Sequence, residues 1–72
     1  MKNIDLHGIK HADVPNVLDK FFYEMICKNI TEFKVITGFS EKMKSIVVKT
    51  SSDYNFKVSP DFNNYGILII SF

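Results

Sequence analysis

The sequence predicts an α/β domain with the chain order β-α-β-α-β-β. Three observations carry that expectation. Apolar residues recur at helical spacing in two stretches, and short apolar runs alternate with them. The first run, first helix and second run make one crossover unit, which calls for a parallel strand pair with a right-handed connection. The last two runs are joined by a turn-rich loop, the pattern of an antiparallel hairpin. The 72 residues suffice for one small domain, residues 1–72, and a hydrophobic fraction of 46% is that of a folded protein.

Asn3 to Leu6 is the first strand, with Ile4 and Leu6 on one face and Asp5 and His7 together on the other. Gly8 permits the tight turn that follows. Asp13 is the expected N-cap of the first helix, with Lys10 or His11 as a slightly earlier start, and Pro15 suits its first turn. Val14, Val17, Leu18, Phe21, Phe22, Met25 and Ile26 then form one broad apolar stripe. Lys20–Glu24 and Glu24–Lys28 are i, i+4 pairs on or near the other face. Asn29 is a fitting stop. Glu32 to Thr37 reads as the second strand, with Lys34 facing out. Ser40 caps a second helix whose stripe is Met43, Ile46, Val47 and Thr50, with Lys42, Lys44, Ser45 and Lys49 facing solvent or a partner. The cluster Thr50-Ser51-Ser52-Asp53 ends it. Tyr54 to Val58 alternates as the third strand, and Ser59 to Gly66 is loop. Gly66 to Phe72 is apolar enough to be a central strand buried on both faces.

Composition narrows the function classes. A net charge of +1 is not the footprint of a strongly basic nucleic-acid binder. The positive excess lies in residues 32–49, where Lys34, Lys42, Lys44 and Lys49 stand against Glu32 and Glu41. All 9 Lys and Arg positions are lysine, which excludes bidentate guanidinium contacts to guanine or phosphate. The single cysteine, Cys27, allows no intrachain disulfide and suits a reducing compartment. No apolar run has the length of a membrane span, and the N-terminus shows no signal-peptide pattern. The expectation is a soluble cytoplasmic protein without a membrane partner.

Two loops hold the candidate chemistry. Asp5 and His7 project together from the carboxyl end of the first strand, where α/β folds gather ligands. They read either as a turn aspartate with a surface histidine, or as a carboxylate that binds metal or acts as base beside a histidine acid/base or phosphate ligand. His11 stands at metal-ligand spacing from His7, but Gly8 and the turn intervene, so it reads as a helix-entry residue near the loop. Thr37-Gly38-Phe39-Ser40 opens the second helix. Its amides form either an anion site, aided by Lys42 and Lys44 and opposed by Glu41, or ordinary strand-to-helix punctuation. Phe39, Phe62 and Tyr65 fall in loops. They either stack on bases or lid the core, and the core is the expected place for each.

Asp5-Leu6-His7-Gly8, followed by an amphipathic helix, resembles the opening motif of the Smr (small MutS-related) domain family. That family opens with Leu-Asp-Leu-His-Gly, and Ile4 takes the leading apolar place here. The family's second motif, His-Gly-x-Gly, corresponds to Thr37-Gly38-Phe39-Ser40, and Lys42-Met43-Lys44 resembles its Lys-Leu-Arg entry into the second helix. The resemblance spans nearly the whole chain. It implies a two-layer α/β sandwich with a mixed four-stranded sheet and two helices on one face, similar to the C-terminal domain of bacterial translation initiation factor three. It also implies DNA or RNA as partner, with nicking endonuclease or ribonuclease activity between the two loops and a divalent metal as the cofactor to test for. Asp5 and His7 match the family's acidic and histidine residues and become the catalytic candidates. Gly38 matches the first glycine of the second motif. Gly8, Lys10, His11, Thr37, Gly38, Ser40, Lys42 and Lys44 become the phosphate-binding candidates. Thr37 stands in place of histidine, Ser40 in place of the second glycine, and lysine in place of arginine. Those departures keep open a non-catalytic protein-interaction module on the same fold. Smr domains are often appended to larger proteins, so a separate partner supplying other domains is also expected.

Overall fold

A computed structural model describes residues 2–72. β1 (Asn3–Asp5) is short, and its parallel ladder with β2 (Glu32–Ile36) runs one step beyond it, the Leu6 N–H donating to Ile36 O at 2.9 Å. That extra bond pulls Leu6 into the core, where it is fully buried. The connection between the two strands is α1 (Val14–Cys27). Its entry takes the earlier of the two expected starts. Asp13 caps nothing, because a 3-10 turn at His11–Asp13 already places it in helical conformation, and the extended residue is Lys10 instead.

Both helices end in the same way. Asn29 takes a positive φ of 57°, with Asn29 N–H donating to Ile26 O and Ile30 N–H to Met25 O. Asn55 takes a φ of 61°, with Asn55 N–H donating to Ser52 O and Phe56 N–H to Ser51 O. These are paired Schellman motifs, with asparagine in the left-handed position. The second one moves the third strand. α2 (Glu41–Asp53) includes the whole Ser–Asp cluster, Tyr54 and Asn55 complete its terminal turn, and β3 is Lys57–Pro60 rather than 54–58. Pro60 is tolerated there because β3 is an edge strand. At its other end α2 is capped as expected, Ser40 Oγ accepting from Met43 N–H at 3.1 Å.

The sheet order is β1-β2-β4-β3, with β4 (Ile67–Ser71) antiparallel to both neighbours. It is mixed and four-stranded, and both helices lie on one face. Leu6, Phe33, Val35, Leu68 and Ile70 from the strands form a single core with Val14, Leu18, Phe22 and Met25 of α1 and Met43 and Val47 of α2. β4 is central but is covered on that face only; Ile67 and Ile69 on the open face are half-buried. Lys34, also on the open face, is half-buried and reaches Asp61 Oδ2 at 3.2 Å. The Asn63 N–H and then Lys34 hold the Asp61 carboxyl below the ordinary carboxylate range. Among the described residues no helix is long and apolar enough to cross a membrane.

Candidate active site at the carboxyl ends of the parallel strands

The parallel pairing sets the turns after β1 and β2 side by side. In the first turn, Asp5 Oδ1 accepts from His7 N–H at 2.9 Å and lies 2.7 Å from His7 Nδ1. A carboxylate can only accept, so Nδ1 carries the hydrogen and Nε2 is the nitrogen left free. The His7 backbone N–H, and after it the imidazole, hold the Asp5 carboxyl below its ordinary value against the cost of desolvation.

In the second turn Gly38 has a φ of +67°, and a Cβ there would stand 2.6 Å from His7 Nε2. Glycine is therefore what lets the second loop close on the imidazole. A third loop, residues 61–66, completes the site. Gly66 O accepts from Thr37 N–H at 2.8 Å, Gly38 N–H at 3.1 Å and Thr37 Oγ1 at 3.2 Å. A Cβ on Gly66 would meet Gly38 Cα at 3.2 Å, so the two backbones touch. Between these loops lies a groove of about 310 Å³, lined by His7, Ile36, Gly38, Phe39, Asn64, Gly66 and Ile67.

Solved structures supply a match for this arrangement. The crystal structure of the Smr domain of Thermus thermophilus MutS2 superposes with a TM-score of 0.81 at 14% sequence identity, over 99% of this chain and 96% of that one. The chain has the Smr fold. No family model matches the sequence, and no curated protein does. At this identity the likeness is one of fold.

Within the Smr fold the candidate residues divide. His7 and Gly38 line the groove, and Asp5 reaches it only through its contact with the His7 ring. Thr37 is buried, and its hydroxyl is committed to the carbonyls of Gly38 and Gly66. Ser40 is committed to its helix cap. Lys42 is exposed in the first turn of α2 and makes no ion pair among the described residues. Lys44 does not face solvent as expected: its side chain is 12% exposed, with Nζ 3.3 Å from the centroid of the Tyr65 ring and 3.8 Å from Glu41 Oε1. Gly8, with a φ of +80°, has open space around it. Lys10 is exposed and His11 half-buried, and neither lines the groove. Among the described residues no three His, Cys, Asp or Glu side chains converge on one point.

The aromatic loop residues overturn the expectation of core packing. Phe39 is 75% exposed, Tyr65 66% and Phe62 94%. Phe39 and Tyr65 stack on each other, ring centroids 5.9 Å apart and planes 20° apart. Tyr65 Oη donates to Glu41 Oε1 at 2.8 Å, which raises the phenol above its ordinary value. Sequence reasoning treated Phe39 and Tyr65 as core and passed over Asn64 and Gly66. Their only signal was the turn-rich Asn63-Asn64-Tyr65-Gly66, and its position beside Gly38 depends on the strand order.

Proposed function

We propose that this Smr-fold domain binds nucleic acid at the groove beside His7 and cleaves phosphodiester bonds there. The observation that supports it is the Asp5–His7 pair, whose free Nε2 meets the Gly38 backbone at the groove. In this reading Nε2 takes the proton of the attacking hydroxyl, from water or a neighbouring 2′-hydroxyl, and returns it to the leaving oxygen. Asp5 holds the ring in the tautomer that leaves Nε2 basic, and it stabilises the imidazolium. Lys42 and the amides opening α2 supply positive potential for the phosphate. A magnesium-type ion would be held by Asp5 together with the substrate's phosphate oxygens, and would supply charge neutralisation there.

A second reading keeps the Smr fold as a non-catalytic protein-interaction module, acting with a partner that supplies other domains. The commitment of Thr37 favours it: its hydroxyl hydrogen goes to the carbonyls of Gly38 and Gly66, and the side chain is buried away from a phosphate. A cleavage assay on mixed DNA and RNA, with and without divalent metal, separates the two. His7→Ala is expected to lower cleavage by about 100- to 10,000-fold while leaving binding in place. Equal cleavage by His7→Ala would rule out the site. No binding to DNA or RNA at low salt would leave only the interaction module.

A further inference from the structure

We propose that the groove between His7 and Phe39 is a slot for one unpaired nucleobase, with Phe39 as its stacking wall, so that the domain takes single-stranded rather than duplex nucleic acid. This rests on the nucleic-acid reading above and adds its substrate class.

The slot has the shape and chemistry of a base site. Its floor is the two backbones at Gly38 and Gly66, which carry no side chains, with the apolar Ile36 and Ile67 beside them. One wall is an exposed aromatic ring and the other carries the imidazole. At about 310 Å³ it lies at the small end of ligand sites, room for one planar ring system and not for stacked base pairs.

The wall is also held in place. An exposed phenylalanine on a mobile loop would collapse onto the nearest apolar surface. Phe39 instead leans on Tyr65, which is fixed by its hydrogen bond to Glu41 and by Lys44 over its ring. A rigid, solvent-facing ring loses little freedom when a base stacks on it. Asn64 lines the groove with its carbonyl committed to Gly66 N–H at 2.9 Å, so its amino group is left as a donor for a ring nitrogen or carbonyl of the base. A base can enter the slot only when it is out of its stack. The phosphate beside it then falls at His7, where the cutting chemistry is proposed.

Fluorescence anisotropy with labelled single strands and duplexes of equal length, at low salt, tests this. The wild-type protein is expected to bind the single strand about 5- to 100-fold more tightly than the duplex, the range a single stacked base supplies. Phe39→Ala should lose that margin and keep its duplex affinity, while Phe39→Tyr should retain the margin. Equal affinity of wild type for both forms, or an unchanged single-strand affinity in Phe39→Ala, overturns the slot and leaves the nucleic-acid reading standing. No binding of either form overturns both.

Discussion

The two ends of the sheet treat their aromatic residues in opposite ways. Where β2 begins and β4 finishes, Phe21, Phe22, Phe33, Tyr54, Phe56 and Phe72 join in one network, with ring centroids from 4.4 to 6.1 Å apart. Most of those contacts are edge-to-face or tilted, the arrangement favoured by ring quadrupoles, with Phe22 and Phe33 fully buried at the centre and Tyr54 and Phe72 at the rim. Where β1 and β2 finish, Phe39 and Tyr65 stack in the open beside His7. One end uses its rings to hold two helices and a sheet together. The other holds its rings out, braced by Glu41 and Lys44, next to a carboxylate–imidazole pair. In a domain with so small a core, rings kept out of it are available for something else.

The largest effect should come from the closed end. Phe22→Ala removes a fully buried ring that touches Phe33, Tyr54 and Phe56, at a cost of about 3–5 kcal/mol. For a domain of this size that is most of its stability, so circular dichroism should show no cooperative unfolding transition. A folded Phe22→Ala with near-native melting would break the contrast between the ends.

At the open end the glycines come next. Gly8→Ala and Gly38→Ala each force alanine into the left-handed region, costing about 1–2 kcal/mol. Only at Gly38 does the new Cβ also collide with His7 Nε2. Denaturant unfolding should show similar losses for the two, and histidine ring NMR signals of His7 should move in Gly38→Ala alone. Phe39→Ala sharpens the comparison from the other side. Its stability should stay within about 0.5 kcal/mol of wild type, since the ring it removes is mostly in water.

The smallest effect is one of pH. Asp5 has its carboxyl lowered in the folded state, so it contributes stability that is complete above the ordinary carboxylate range and is lost as pH falls through the lower folded value. Asp5→Asn should therefore be slightly less stable than wild type at neutral pH, and the two should converge as pH falls through the lowered folded value of the carboxyl. Parallel pH profiles for the two proteins would show that the pair with His7 adds nothing to stability.

Much of this site could be read from local rules. The period of two along a strand puts Asp5 and His7 on one face, and the crossover places Gly38 beside them. The parts that stayed hidden depend on what no local window contains. Phe39 and Tyr65 look like core residues to any count of hydrophobicity; their exposure follows from loop 61–66 meeting the second turn, which requires β4 to sit between β2 and β3. Lys44 looks solvated until Tyr65 is brought over it. Asn29 was legible as a stop because the apolar stripe of α1 ends at Ile26, just before it. Asn55 was not, because Tyr54, Phe56 and Val58 around it imitate a strand. Thr37 carries the same lesson. Its place in the motif suggests a ligand, while its burial against Gly66 O makes it a fastener between loops.

The position of β4 has a consequence for how the molecule comes into being. It is the last strand in chain order and lies between β2 and β3, so both depend on it for pairing. A ribosome delivers residues 67–71 after everything they pair with. Until then β3 has no neighbour, β2 pairs only with the short β1, and Phe33 and Val35 lack Ile70 and Leu68 beside them. The sheet is therefore complete only once residues 67–71 are in place. During synthesis its most apolar strand is the last of the four to arrive.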